Sequence, residues 1–187
     1  MPSSTTSVPL AATDAVVAGL VETQLTCGEG PCIDAVADGH LHCEVDLAAQ
    51  RSGRWMAFAP AALDLGARTV CAVPIAVGVA RIGSLLLYRT TPGPLSDVGH
   101  TDAVAAGGLA ASAILGAQSS DGDGVETGAQ GSWAVLHQAA GMVSVQLGVS
   151  VGEALVRMRS HAFATNRSLR LLAGDVVSRA LRFDDAA

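Results

Sequence analysis

Residues 133–147, WAVLHQAAGMVSVQL, carry the strongest helical pattern in the C-terminal part of this chain. Its apolar residues recur at alternating spacings of three and four: Trp133, Leu136, Ala140, Val143 and Leu147. That period places them on one face of a helix, as in the a/d seam of a short coiled coil. We therefore predict a helix that ends at Gly148 and pairs with a second copy of the chain through this dimer seam.

Helical patterns continue towards the C-terminus. Ser150 and Glu153 have the spacing of a capping box, in which the Ser hydroxyl accepts an amide proton and the Glu side chain reaches back. The next helix is predicted to direct four residues inward: Ala154, Leu155, Met158 and Ala162. Ser168 is expected to cap a third helix, whose apolar residues trace one face: Leu169, Leu172, Ala173, Val176, Val177 and Ala180. Three helices with short connections predict an all-α three-helix bundle over residues 132–183, preceded by the coiled-coil-like helix.

Residues 8–118 show a mixed pattern. Aliphatic and β-branched residues at 70–77 and 80–88 flank Gly78, which predicts two strands joined by a short turn. Residues 14–24 and 98–118 favour helices, and the apolar side of the longer one is assigned to four residues: Val104, Leu109, Ile114 and Leu115. The predicted fold class is therefore α+β, with a partial antiparallel sheet in the N-terminal unit.

Residues 119–131 separate the two parts. This segment, SSDGDGVETGAQG, holds four Gly and three acidic residues, and one apolar side chain beyond Ala. Such a composition buries too little surface to order itself, so we predict a flexible linker.

The charge is unevenly distributed along the 187 residues. The net charge is −6, and all 11 basic residues are arginine. Residues 1–131 hold five Arg against 13 carboxylates, whereas residues 132–187 hold six Arg against four. An acidic body repels polyanions, so any nucleic-acid contact is expected in the C-terminal segment.

Composition and motifs exclude several classes of protein. The mean hydropathy is +0.41, yet no run of about 18 apolar residues is uninterrupted. The first residues have neither the basic nor the apolar region of a secretory signal. We expect a soluble, cytoplasmic protein with no membrane contact. The sequence carries no phosphate-binding glycine loop, nucleophile elbow or paired metal carboxylates, so we expect no enzyme, no catalytic residue and no cofactor.

Five thiol and imidazole residues lie close together in the sequence: Cys27, Cys32, His40, His42 and Cys43. They are numerous enough for a tetrahedral zinc site, but their spacing does not match a paired zinc knuckle. Buried or idle thiols in a reducing compartment are favoured, and no metal site is predicted. Zinc binding and a redox-responsive cysteine pair stay open as alternatives.

Residues 135–150, 153–155, 157–162 and 172–177 closely resemble the ANTAR domain. The resemblance covers essentially all of residues 132–183. It implies RNA binding and a role in transcription antitermination, in which the domain stabilises a pair of short hairpins that excludes a terminator.

The N-terminal unit resembles the GAF domain that often precedes ANTAR in actinobacterial regulators. The matching pieces are residues 28–32, 46–47, 55, 58–62, 66, 74–75 and 83–88. This resemblance implies a sensor module, with an unidentified small molecule as its ligand. We find no match here for the helix and strands that open that family's domain, so we expect either a truncated or natively short GAF unit, or a sheet that a second subunit completes.

The RNA contacts require arginines that hold phosphates and a surface that reads exposed loop bases. The candidates are Arg157, Arg159, His161, Asn166, Arg167, Ser168 and Arg170. Phe163 is expected to pack inside the bundle, so no aromatic stacking surface is predicted. The chain is thus interpreted as a homodimeric antitermination regulator that binds tandem RNA hairpins. Two alternatives stay open: a small-molecule or redox sensor that dimerises without binding RNA, and a DNA-binding regulator.

Overall fold

The computed structural model describes residues 9–50, 53–119 and 128–183, and these form seven helices and a three-stranded antiparallel sheet. The elements in chain order are α1 (Ala15–Cys27), α2 (Pro31–Asp38), β1 (His42–Glu44), α3 (Phe58–Asp64), β2 (Thr69–Val77), β3 (Ala80–Arg89), α4 (Asp97–Ser119), α5 (Gly128–Leu147), α6 (Val151–Ala164) and α7 (Leu169–Val177). The mixed α+β class predicted from the sequence is confirmed.

Contacts between residues divide the described chain into two compact units. The sheet unit contains residues 12–24, 28–50 and 53–119, and the helix unit contains residues 9–11, 25–27 and 128–183. The predicted domain limits of 8–118 and 132–183 stay predictions. Of the predicted linker, residues 120–127 lie outside the described residues, and residues 128–131 form the first turn of α5.

β2 is the centre of the sheet, with β1 and β3 on either side. Residues 69–73 of β2 are buried on both faces because α2 and α4 pack against the strand. The predicted strand pair around Gly78 is confirmed, and Gly78 adopts the positive φ that a tight turn of this kind favours. Helices α2 and α3, by contrast, were not predicted from the residue pattern.

The core of the sheet unit surrounds Phe58, which is completely buried and meets the Trp55 ring edge to face. Glu29 fixes the helix that carries Phe58. Its Oε1 accepts the backbone N–H groups of Ala57 and Phe58 at 2.6 and 3.0 Å, which satisfies free donors at the N-terminus of α3.

α4 lies on the sheet through small residues, which corrects the predicted apolar side. Ala103, Gly107 and Ala111 form its buried face, while Val104, Leu109 and Leu115 are exposed. Ile114 is half-buried. A Cβ at Gly107 would lie 3.3 Å from Cγ1 of Val73, so the close approach of α4 to β2 depends on the missing side chain. The sequence pattern assigned the larger apolar residues to the interface, but the short separation accepts only small ones.

α4 is also the one described helix that is long and apolar enough to cross a membrane by itself. Its window, Asp97–Gly116, has a mean hydropathy of 1.2 and is weak support for a span. A second candidate would join α5 and α6, but these helices meet at 101° and bury a common core. The structure is therefore compatible with the soluble protein predicted from the sequence.

We expect Gly30→Ala to destabilise the chain more than Gly66→Ala. Both glycines have positive φ values, 142° and 87°, so both substitutions strain the backbone by about 1–3 kcal/mol. A Cβ at Gly30 would also lie 2.3 Å from Cγ of the buried Gln24, whose Oε1 accepts the N–H of Cys32. At Gly66 a Cβ meets nothing within 4 Å. Urea unfolding measures the difference, and equal losses would contradict the close contact.

Asp46 gives the sheet unit a dependence on pH. Hydrogen bonds from the Arg68 guanidinium, the shortest at 2.9 Å, hold the pKa of Asp46 below its usual range. A carboxyl group whose pKa is lowered by folding stabilises the fold above its unfolded pKa, and this effect disappears as the pH falls through the folded pKa. We expect Asp46→Asn to lower the melting temperature at pH 7, and the difference from wild type to shrink towards acidic pH. Asp64→Asn, at an exposed position, is the matched control, and a difference that is constant with pH would refute the assignment.

Candidate nucleic-acid interface

The predicted RNA-binding residues all lie on α6, on α7 or in the connection between them. Two serines cap the N-termini of these helices. Ser150 Oγ accepts the N–H of Glu153, and Ser168 Oγ accepts the N–H of Leu171, each at 3.2 Å. Both predicted N-caps are confirmed, although the capping box is incomplete: the Glu153 carboxylate accepts from Arg157 at 2.9 Å instead of reaching back.

The helices α5, α6 and α7 are held by one apolar core. All four residues predicted to face inward on α6 are buried, and so are Leu169, Leu172, Ala173 and Val176 on α7. Val177 is partly buried, and Ala180 is exposed because α7 ends at Val177. The short α7 therefore places residues 178–183 outside the helix.

The predicted dimer seam is corrected by this core. Leu136, Ala140 and Val143 are buried against α6 and α7 of their own chain, and Leu147 packs at the edge of the same cluster. The side chain of Trp133 lies outside the described residues. A two-helix seam and a compact bundle require the same apolar period, and here the bundle uses it. A Cβ at the neighbouring Gly141 would meet nothing within 4 Å, so no close packing requires that glycine.

Two of the candidate arginines form ion pairs at the surface. Arg157 Nη2 lies 2.9 Å from Oε1 of Glu153, one turn earlier on α6. Arg167 Nη2 lies 2.5 Å from Oδ2 of Asp175, which ties the α6–α7 connection to α7. Both side chains remain about two-fifths exposed, and each guanidinium has five N–H donors, so each keeps donors for a phosphate.

Arg159 is half-buried and is held differently. Its Nε donates to the carbonyl oxygen of Leu25, a residue of the same unit, at 2.9 Å. Burial lowers the pKa of Arg159. Arg157 and Arg159 also lie about 200° apart around α6, so the structure places them on different sides of the helix.

The other candidates have separate positions. His161 shares the side of α6 with Arg157 and meets the Phe183 ring edge to face at 5.3 Å. Asn166 is exposed and has a φ of 49°, which turns the chain between the helices. Ser168 caps α7, which is a structural role, and Arg170 is exposed in the first turn of that helix.

The helix unit is electropositive. Residues 128–183 contain six arginines and two carboxylates, a balance of +4. Both carboxylates, Glu153 and Asp175, already neutralise an arginine. The described part of this unit therefore presents a surface to which a polyanion is attracted without an unpaired carboxylate to repel it.

Phe163 lies at the surface, contrary to the prediction that it packs inside the bundle. Its side chain is 63% exposed on α6 instead of buried in the bundle. The helical period is itself a signal for this exposure, because position 163 falls on the face of Val156 and Ser160, opposite the inward residues. The expectation that an aromatic side chain belongs to the core outweighed that signal.

The cysteine and histidine cluster does not form a metal centre in the described residues, where no group of three or more metal ligands occurs. Cys43 pairs directly with Cys71 across β1 and β2, and the two form a disulfide. The expectation of an idle Cys43 thiol is therefore wrong, because the register of the strands brings two sulfurs together. Cys27 and Cys32 are outside this disulfide, and burial raises the pKa of the Cys32 thiol.

His42 belongs to a polar network on the sheet unit. Its Nε2 lies 2.8 Å from Asp38 Oδ2, and its Nδ1 contacts the Arg54 guanidinium. Arg54 also donates to Asp34 at 2.8 Å, and Trp55 Nε1 donates to the same carboxylate oxygen at 2.9 Å. These bonds join α2, β1 and the approach to α3, so we assign His42 to the support of the fold.

Comparisons with models of protein families, with curated proteins and with solved structures give no match for this chain.

We expect a thiol titration of the denatured chain without reductant to find two thiols, those of Cys27 and Cys32, and four after reduction. The disulfide closes a loop between residues separated by 28 positions, so Cys43→Ala should lower the free energy of unfolding by about 3–4 kcal/mol. Four thiols in the unreduced chain would contradict the pairing.

Proposed function

We propose that the chain is an RNA-binding regulator of transcription antitermination, in which the helix unit binds paired RNA hairpins and the sheet unit acts as a sensor. The observation that carries the proposal is the electropositive helix unit, with six arginines and both of its described carboxylates already paired. The ANTAR-like sequence of residues 132–183 supports the choice of RNA and of antitermination. The GAF-like sequence supports a sensor role for the N-terminal unit.

The arrangement of the arginines favours a folded RNA over duplex DNA. A DNA-reading helix enters the major groove with several base-contacting side chains on one face. α7 has nine residues, and its outer face offers Arg170 and Gly174, with Ser178 as the C-cap. The arginines instead lie on both sides of α6 and around its connection to α7, which suits phosphates on a curved backbone.

The working unit in this proposal is a homodimer that pairs through α4. Val98 and Leu109 are 70% and 73% exposed, and they lie one above the other because eleven residues complete about three helical turns. Val104 and Leu115 form a second exposed pair with the same spacing. That second pair lies about 120° further around the helix, so a second copy of α4 would cover the Val98–Leu109 pair, and two RNA-binding units would then face two adjacent hairpins.

A second candidate is a thiol–disulfide sensor, which the Cys43–Cys71 disulfide favours. Disulfides are rare in the cytoplasm outside redox-active proteins, and we place the chain there because its target is a transcript. Two thiols would lose two protons and two electrons to hydrogen peroxide, which becomes two waters. Reduction would break the covalent bond that holds the three-residue edge strand β1 to the central strand β2.

Binding of the full-length chain to a labelled RNA with two adjacent short hairpins tests the proposal, with duplex DNA of equal charge as the competitor. We expect preference for the RNA and two chains per RNA. Arg170→Ala should weaken binding and reduce the slope of log affinity against log salt by roughly 0.7–0.9, the loss of one phosphate contact. Arg81→Ala, an equal charge change at an exposed position of the sheet unit, is the control.

Equal binding of RNA and DNA, or equal effects of the two arginine substitutions, would refute the proposed function. The same titration with a reductant present addresses the second candidate. An RNA affinity that changes on reduction in the wild type, but not in Cys43→Ala, supports a redox input, and an affinity that is insensitive to reduction refutes it.

A further inference from the structure

Phe163 stands apart from the other aromatic side chains that the structure describes. Trp55 and Phe58 are buried in the core of the sheet unit. Tyr88 is partly buried and packs against that core, and Phe183 packs against the core of the helix unit. Phe163 is 63% exposed, in a chain with an aromatic content of 3%. Its ring therefore contributes little to the stability of the fold, because most of its apolar surface stays in water.

The position of Phe163 on α6 explains its exposure. The inward face of the helix is formed by Ala154, Leu155, Met158 and Ala162. Val156, Ser160 and Phe163 recur at i, i+4 and i+7 on the opposite face, and Val156 is 57% exposed. The structure thus presents an apolar aliphatic side chain and an aromatic ring, one turn to either side of a hydroxyl, on one outward stripe.

Basic and neutral polar residues lie close to this stripe in the chain. Arg159 precedes Phe163 by one turn on α6, and Arg167 follows it in the connection to α7. Asn166 lies between them in the chain, exposed and with a positive φ. Glu153 and Asp175, the two carboxylates in residues 128–183, are both paired with arginine.

This combination identifies the class of partner. A peptide that covered the ring would need carboxylates to match the arginines, and it would not need an exposed aromatic plane. An unpaired nucleotide supplies both a phosphate for a guanidinium and a base whose flat face stacks on an aromatic ring. The positive balance of the unit favours the nucleotide.

We propose that Phe163 stacks on an unpaired base in the loop of an RNA hairpin, while the neighbouring arginines hold the flanking phosphates. This inference rests on the proposed function and adds a site to it, because none of the residues assigned above contacts a base face. Stacking on an aromatic ring accepts any base. Phe163 therefore strengthens binding to an open loop and leaves sequence recognition to other groups.

The test uses the full-length chain and a two-hairpin RNA that carries the fluorescent base 2-aminopurine in one loop. Phe163→Leu keeps an apolar side chain and removes the aromatic ring, whereas Phe163→Tyr keeps the ring. Val145→Ala, at an apolar position of α5 that is 84% exposed, controls for a general loss of exposed apolar surface. Melting temperatures are recorded for all variants, and we expect them to stay unchanged because both positions are exposed.

We expect the wild type and Phe163→Tyr to bind alike and to quench the loop fluorescence. Phe163→Leu should bind about 5- to 150-fold more weakly, with the quenching lost and the salt dependence unchanged, because stacking involves no charge. Wild-type binding to the RNA with an undiminished affinity of Phe163→Leu would overturn the stacking site alone. No RNA binding by the wild type would overturn both this inference and the proposed function.

Discussion

Alanine at the contacts between α5, α6 and α7 is the constraint on which the rest of the helix unit depends. Ala139, Ala140, Ala154, Ala162 and Ala173 are all completely buried. Alanine fills little space, which allows helices to approach closely, and the longer core residues pack in the same cluster. A close approach leaves no room for an aromatic ring at these contacts. The face of α6 that points away from them therefore carries the large and charged side chains.

The charged side chains of the helix unit lie outside its apolar core. The fully buried core consists of alanine, leucine, valine and methionine side chains, while Arg157, Arg167 and Arg170 lie at the surface and Arg159 is half-buried. The two carboxylates of residues 128–183, Glu153 and Asp175, orient Arg157 and Arg167 without cancelling the positive balance. Exposed ion pairs of this kind contribute little to stability, so we assign them a positioning role. They hold the guanidinium groups in place before a phosphate arrives, which lowers the entropy lost on binding.

The sequence predicted those features that depend on residues close together in the chain. The β2–β3 hairpin around Gly78 and the caps at Ser150 and Ser168 are local, and the structure confirms them. The α4 face was predicted wrongly because hydrophobicity ranks Leu109 above Gly107, whereas the distance to β2 requires the smaller residue. The Cys43–Cys71 pair depends on strand register across 28 positions, which no local pattern contains.

The candidate site, too, was predictable from local sequence only in part. Its residue types, and through the helical period the side of α6 on which each one lies, were predictable. Their partners were not: Arg159 donates to Leu25, Arg167 pairs with Asp175, and His161 meets Phe183. The most direct measurement is hydrogen–deuterium exchange of the full-length chain with and without the two-hairpin RNA. RNA binding by the helix unit predicts slower exchange in residues 157–170 and unchanged exchange in β2 and β3. Unchanged exchange throughout, or protection confined to the sheet unit, would contradict it.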